Sequence, residues 1–380
     1  MILDTLTIVV AGVVLLLAVV APFMSPVFRL RLSDETPTME TASLPPVSVL
    51  ITVHRNAPAL EHYLSLCLSQ QYAPGFEVIV VAEKGDTEAE DVLKRFGAHK
   101  RLYTTFIPES SRYMSRKKLA ITLGVKAAHN EWIVLTEADC RPTSDQWLAS
   151  MVQHFDAGHN LVIGYSNYSE DACPRYRFRQ LTMSAYLLRQ ASKGCAYRCG
   201  TSSLAFRKSE FMSGEGFRGS LEHIGGEYDF LVNKYARRGA TAVELSPEAF
   251  VEEDAPSARS WRNLRLFTFH TNRYLKRGWG IRVLTFLDAL LLHLSFLGAL
   301  VSAVWGGFSS RWIVLGAGVL ALIVSYVERM LLVRRKLQVL VPRVPLWKVP
   351  FYELLQMWST VGLRLRYLFT DKYTFTCHKQ

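Results

Sequence analysis

Between residues 47 and 135 the chain alternates short apolar runs with longer segments whose apolar residues recur every three or four positions. The runs Val47–Val53, Phe76–Ala82, Arg101–Ile107 and Trp132–Leu135 have the length and composition of strands. Between them the pattern predicts three helices. Pro58 sits well in the first turn of one that reaches about Tyr72, with Leu60, Leu64 and Leu68 as its apolar stripe. Thr87–Phe96 opens acidic, and Lys117–His129 leads into the fourth strand. Strand and helix in strict alternation predict an α/β fold, a parallel sheet built from βαβ units with right-handed crossovers. Beyond residue 150 the periodicity weakens, and loops and helices are expected.

Three further runs are of another kind. Thr5–Met24, Leu284–Trp305 and Trp312–Val327 are almost unbroken apolar sequence, long enough to cross a bilayer; the turn-like Gly306–Arg311 separates the last two. The first has no basic start and no small-residue cleavage site, so an uncleaved anchor is expected rather than a signal peptide. Trp347–Leu368 is apolar but carries Glu353, Gln356, Thr360 and Arg364 on one helical stripe, which predicts a helix lying along the membrane interface. The expected organisation is an anchor over 1–28, a linker over 29–46 whose Ser33–Pro46 is polar, a domain over 47–282, two spans over 283–333, and an interfacial helix with a tail over 334–380.

Composition agrees with this division. Hydrophobic residues make up 49% of 380 and the mean hydropathy is +0.11, an excess carried by those runs. The net charge of +11 gathers beside them: Arg29 and Arg31, then Lys276, Arg277 and Arg282, then Arg329, Arg334, Arg335 and Lys336. By the positive-inside tendency the domain and tail are cytoplasmic, with the basic flanks on anionic membrane lipid; an integral protein of a bacterial inner membrane is expected. No aromatic-basic module marks a nucleic-acid partner. The six cysteines lie outside the spans and read as free thiols, and Cys195 with Cys199 lacks the second pair that a zinc site needs.

Candidate chemistry concentrates where the fourth strand ends. Trp132–Pro142 runs from an apolar stretch into Glu137 and Asp139, at the sheet edge where ligands of open α/β folds bind. Two acids one residue apart suit a hard divalent cation that also grips phosphate oxygens. Alone, such a pair is a solvated strand-to-loop junction. Four features in order argue otherwise: the strand and loop Val47–Asn56, the acidic loop Glu83–Asp86, Lys117-Lys118 ahead of Glu137-Ala138-Asp139, and Gly226-Glu227-Tyr228-Asp229.

Together they resemble the membrane-anchored family-2 glycosyltransferases, inverting enzymes of GT-A fold, over about residues 45–280. The resemblance implies that Thr52 and His54 line a nucleotide pocket and that Glu83 contacts the uridine or ribose. It implies that Lys117 and Lys118 stand near the donor phosphates. Glu137-Ala138-Asp139 takes the place of the Asp-Ala-Asp metal motif, with Asp139 the direct ligand of Mg²⁺ or Mn²⁺ and Glu137 beside it. Gly200–Lys208 resembles the loop and strand under the acceptor. Glu227 takes the catalytic-base position and Asp229 follows, a one-step shift of register making Asp229 the base. Arg273, in His270–Tyr274, is what remains of a Gln-x-x-Arg-Trp segment. Plainer roles exist for each: helix capping for Glu227 and Asp229, a solvated face for Lys117-Lys118, turn residues at Glu83 and Asp86, and polar contacts for His54 and His270. Glu252-Glu253-Asp254 reads as a solvated loop.

The chemistry needs these residue types independently. A diphosphate leaving group calls for positive charge, a sugar hydroxyl needs a carboxylate to take its proton, and one base with direct attack implies inversion. The expected partners are a nucleotide-sugar, a UDP-sugar first, a lipid-linked or growing glycan acceptor, and membrane lipid. A processive cell-surface polysaccharide synthase is the alternative. A nucleotide sensor or scaffold without catalysis, suggested by Glu at 137 and 227, is the reading from another class.

Overall fold

The structure, a computed structural model, describes residues 4–32, 44–54, 56–108 and 115–371. Most of the expected linker and Cys377 lie outside the described residues. The chain divides into two compact units: residues 1–31, 174–186 and 277–362 form the first, and residues 32–173, 187–276 and 363–380 the second.

The second unit holds the predicted sheet. Strands β1 (Val47–Thr52), β2 (Phe76–Glu83), β3 (Leu102–Ile107) and β4 (Trp132–Glu137) match the four apolar runs. They alternate with α3 (Ala57–Leu68), α4 (Thr87–Phe96) and α5 (Arg116–Ala127). These four strands pair in parallel in the order β3-β2-β1-β4. Every residue of β1 is buried, as expected for a central strand covered by helices on both faces. Helix α5 packs very close to it: a Cβ on Gly124 would lie 2.1 Å from Leu50 Cδ1, so only glycine fits there without displacing the leucine.

The weakly periodic second half adds short strands. The sheet continues from β4 through β8 (Leu204–Arg207) and β6 (Leu161–Ile163) to β9 (Thr241–Val243). Strand β8 runs antiparallel to both neighbours, so the sheet is mixed rather than wholly parallel. A small second sheet joins β5 (Cys140–Pro142), β10 (Val251–Glu253) and β7 (Ser166–Tyr168). Strand β10 corrects the loop expected at Glu252-Glu253-Asp254: Val251, Glu252 and Glu253 are paired on both sides, opposite Pro142, Arg141 and Cys140 and beside Ser166, Asn167 and Tyr168. Three residues between two neighbours leave no periodicity to read.

The first unit is built from long helices. α1 (Thr5–Val20) with the turn to Met24, α11 (Trp279–Phe308) and α12 (Trp312–Leu340) are each long and apolar enough to cross a membrane. Small residues let them approach: Val14, Ala18, Ala299 and Ala321 form the shared core, and a Cβ on Gly318 would come within 2.7 Å of the Ala299 carbonyl oxygen. Three of the four polar residues on the stripe of α13 (Val349–Leu368) turn to partners inside the protein. Glu353 accepts from Arg329 at 2.7 Å, Gln356 from Thr182 at 2.9 Å, and Thr360 from Arg179 at 3.1 Å. The exposed surface of the helix carries Phe351, Leu355, Trp358 and Leu365 together with the fourth stripe residue, Arg364. Sequence spacing could not reveal those inward partners.

Candidate active site

Three adjacent parallel strands end in candidate residues. Thr52 closes β1, Glu83 closes β2 and Glu137 closes β4, with Thr52 registered directly beside Glu137 and Val81. This is the carboxyl edge of the sheet, where parallel topology leaves a crevice.

The first turn of α5 ties that edge together. Ser115 caps the helix and donates from Oγ to Glu227 Oε1 at 3.0 Å. Arg116 pairs with Glu83 Oε2, whose other oxygen accepts from His54 Nδ1 at 2.7 Å. Lys117 Nζ lies 2.5 Å from Glu137 Oε1. Lys118 is fully buried and donates from Nζ to the carbonyls of Ser220 at 2.5 Å and His223 at 2.7 Å. Four consecutive residues thus reach four separate parts of the site.

The charges fix what each group can do. Burial works against the Lys117 ammonium, yet the carboxylates of Glu137, Glu227 and Asp139 around it hold its pKa well above the usual lysine value. Lys118 goes the other way: burial lowers it to about 8, against the opposing pull of Glu227 and Glu222. Asp139 is raised to about 7, first by burial and then by Glu137 and Glu253. Glu253 on β10 is itself raised by burial, although Ser166 and Ser202 donate to its Oε1 at 2.6 and 2.8 Å.

Glu227 and Asp229 stand in the first turn of α9 (Glu227–Tyr235), and their surroundings differ sharply. Asp229 is tied down: Arg198 Nε donates to Oδ2 at 2.7 Å, and the backbone N–H groups of Cys199 and Gly200 reach Oδ1 at 3.2 and 3.3 Å. Glu227 is held through one oxygen by Ser115. Gly226 caps this helix at φ +75°, and a Cβ there would strike Thr271 Cγ2 at 2.5 Å, so the turn needs glycine twice over. Arg273 is exposed at the end of α10 (Ala258–Thr271), where the Tyr367 hydroxyl hydrogen-bonds it.

Sequence reasoning did not single out Ser115, Arg116 or Arg198, and it read Glu253 as part of a solvated loop. Ser115 had a readable signal, a serine immediately before a helical stretch. Arg116 carried no signal of its own, because its partner Glu83 lies 33 residues away in the chain.

A divalent cation, which the fold and chemistry imply, can be tested against these residues. Among the described residues no group of three or more His, Cys, Asp or Glu side chains is gathered as a complete metal cage. The donor set nevertheless suits a hard cation completed by phosphate oxygens. Glu137, Asp139 and Glu253 repel one another across a buried site, with Lys117 as the compensating ammonium at Glu137 and Asp139.

Comparison with known proteins bears on the family and the fold. Residues 48–212 match the profile described as glycosyl transferase family 2. The mannosyltransferase PcManGT from Pyrobaculum calidifontis, solved in complex with GDP-Man and Mn²⁺, superposes with a TM-score of 0.54 at 17% identity, over 85% of this chain and 97% of that one. TarS 1–349 from S. aureus, in complex with UDP-GlcNAc, gives a TM-score of 0.45 at 12% identity over 77% and 85%. No curated protein matches the sequence.

Proposed function

Through residues 48–212 this chain belongs to glycosyl transferase family 2 with a GT-A fold, and from that premise we propose an inverting transfer of a sugar from a nucleotide donor to a lipid-linked or growing glycan acceptor at the cytoplasmic face of a bacterial inner membrane. The observation that carries the proposal is the Lys117 ammonium amid the carboxylates of Glu137, Asp139 and Glu227, at the carboxyl edge of the sheet. A capping pair or a solvated lysine face would not bring these groups together.

Each residue then has a role. Thr52, His54 and Glu83 border the nucleotide end, Glu83 acting by orienting the half-exposed Arg116 and the exposed His54. Lys117 is the fixed positive charge for the diphosphate, and Lys118 holds the 220–223 loop from inside. Asp139, with Glu137 beside it, would hold Mg²⁺ or Mn²⁺. Bound there, the cation supplies charge neutralisation to the leaving diphosphate. Support for a nucleotide-sugar with a divalent cation comes from PcManGT, which is of like fold and was solved with both.

Glu227 is the better base. A general base needs a free lone pair facing the hydroxyl. Arg198 and two backbone amides occupy Asp229, whereas Ser115 engages Glu227 at one oxygen. Asp229 then fixes the Arg198–Gly200 loop that passes toward the acceptor side. The three membrane-long helices tether the domain to the bilayer, where a lipid-linked acceptor presents its sugar.

The test is a panel of UDP-, GDP- and dTDP-sugars offered to the full chain in lipid nanodiscs, with Mn²⁺, Mg²⁺ or EDTA. Release of nucleoside diphosphate that disappears in Asp139→Ala and Glu227→Gln supports the enzyme. Nucleotide binding without turnover under every condition supports the sensor.

A further inference from the structure

Among the described residues one side chain hydrogen-bonds Glu227, and it is Ser115. The two residues expose 2% and 6% of their surface, so the 3.0 Å bond from Ser115 Oγ to Glu227 Oε1 lies away from bulk water, where it is electrostatically stronger. A serine hydroxyl has one proton to give and lone pairs with which to accept. At Ser115 the helix cap takes the accepting side: the backbone N–H of Lys118 donates to Oγ at 3.3 Å. The proton is thereby left for Glu227. Among the described residues the other carboxylate oxygen, Oε2, accepts no hydrogen bond. The same turn of α5 meets α9 at two further points. The Lys117 ammonium lies 5.4 Å from the centre of the Tyr228 ring, and that of Lys118 lies 4.5 Å from the centre of the Phe230 ring. Those contacts seat the helix through its rings, and Ser115 seats the carboxylate.

We propose that Ser115 is a positioning residue for the base: its hydroxyl clamps Glu227 Oε1 so that Oε2 faces the attacking hydroxyl, in a register with Lys117 that one turn of α5 fixes. The proposal rests on the base assignment of the proposed function and adds a residue to it. In the step served, the acceptor oxygen bonds the anomeric carbon while its proton passes to Oε2. The bond from that carbon to the diphosphate breaks, and its electron pair leaves on the diphosphate. Ser115 and Lys117 belong to one helical turn, so the group that takes the proton and the group that meets the leaving charge are tied together through a short piece of backbone. A reacting group misplaced by about 1 Å loses on the order of 100-fold in rate. The competing account is that Ser115 only caps α5 and that its contact with Glu227 is incidental. On that account the cost of losing Ser115 falls on the start of α5, hence on Arg116 and Lys117 and on donor binding.

Ser115→Gly separates the two, because glycine caps a helix nearly as well as threonine but has no hydroxyl. The full chain in nanodiscs is given UDP-GlcNAc, GDP-mannose and dTDP-glucose with Mn²⁺, and release of nucleoside diphosphate is followed with water as the acceptor. Attack by water needs the same base and no acceptor sugar. The expected result is a kcat lower by about 10–100-fold with the donor KM unchanged. In a Glu227→Gln background the same change should lower kcat no further. Ser115→Thr, which keeps the hydroxyl, should recover most of the rate. If thermal unfolding shows that Ser115→Gly does not fold, Ser115→Asp replaces it: an aspartate caps as well as serine, accepts only, and should lose kcat at saturating donor to the same degree. An unchanged kcat, or a rise in donor KM alone, overturns the proposal and leaves the glycosyltransferase reading intact. A loss of kcat that persists in the Glu227→Gln background also overturns it, because the effect then does not pass through the base. Full turnover by Glu227→Gln, or no turnover by the parent, removes the base assignment and this proposal together.

Discussion

The two units of this chain are built inside out with respect to each other. In the second, β1 is buried at all six positions, and charged groups collect at the sheet edge beside half-exposed partners such as Lys117 and Glu137. In the first, Leu297, Val301, Ile323 and Leu331 are each more than half exposed, while Arg329 and Glu353 are buried at 2% and 7%. Elementary solvation explains the contrast. In water, burying apolar area drives association; in hydrocarbon it gains nothing, and helices are held by close backbone approach and by polar pairs that have no better partner. Small residues at the α1–α11–α12 core and the Arg329–Glu353 pair are what the second situation demands. The three helices of that unit that are long and apolar enough to cross a membrane carry those exposed apolar side chains.

The largest effect that can break this comparison is removal of one member of the buried pair. Arg329→Ala strands the Glu353 carboxylate and should destabilise the first unit by about 3–5 kcal/mol, read as loss of folded protein on detergent titration. Replacing both residues, Arg329→Met with Glu353→Leu, should restore most of that loss. The control in the second unit is Lys94→Ala, whose partner Asp91 is two-thirds exposed; that change should leave stability nearly unchanged. Equal effects at the two sites would mean that water reaches both.

Next in size is a pair matched for exposure. Leu300 in α11 and Leu264 in α10 expose 50% and 49% of their surface. By exposure alone they are equivalent. If α11 lies in hydrocarbon, Leu300→Asp should cost about 3 kcal/mol and impair membrane insertion. Leu264→Asp, facing water, should stay within about 0.5 kcal/mol. Insertion of a tagged chain into microsomes measures the first, and thermal unfolding the second. An unimpaired Leu300→Asp would remove α11 from the bilayer.

How much of this could be read from the sequence divides along the same line. The parallel half of the sheet was legible because β1, β2 and β4 are almost wholly buried, β3 at the edge keeps a strand's composition, and each intervening helix keeps an apolar stripe; β1 to β4 begin and end within a residue or two of the apolar runs. Strands β6, β7, β9 and β10 are three residues each, too short to carry a period. Glu253 was consequently placed on a solvated loop, although β10 sets it beside Cys140 at the site. At the site, residue identity was legible and partnership was not. Glu227 and Asp229 look alike in sequence, and only the folded loop at 198–200 shows which one is occupied. Lys117 and Lys118 are adjacent, yet helix geometry turns one toward Glu137 and the other into the interior. The stripe on α13 was recognised and its direction was not, because spacing tells which residues share a face but not what solvent that face meets.

The smallest expected effect concerns the buried cation of the second unit. Burial lowers the Lys118 pKa to about 8 from an ordinary 10.5, despite Glu227 and Glu222. Between those two values the unfolded chain holds the proton more firmly than the folded one, so stability rises with pH across that window, and below about pH 8 the full cost of the buried charge is present. The span corresponds to about 3 kcal/mol at most, and the carbonyls of Ser220 and His223, which favour the charged form, reduce it to roughly 2 kcal/mol. Lys118→Met removes the titrating group and leaves those carbonyls unserved. It should therefore be less stable than the parent at pH 7.5, and it should lack the parent's rise between pH 8 and 10.5. Urea unfolding of the two proteins across that range, taken as a difference, cancels the other titrating groups. Parallel curves would show that the Lys118 ammonium keeps its proton throughout, held by the carbonyls of Ser220 and His223.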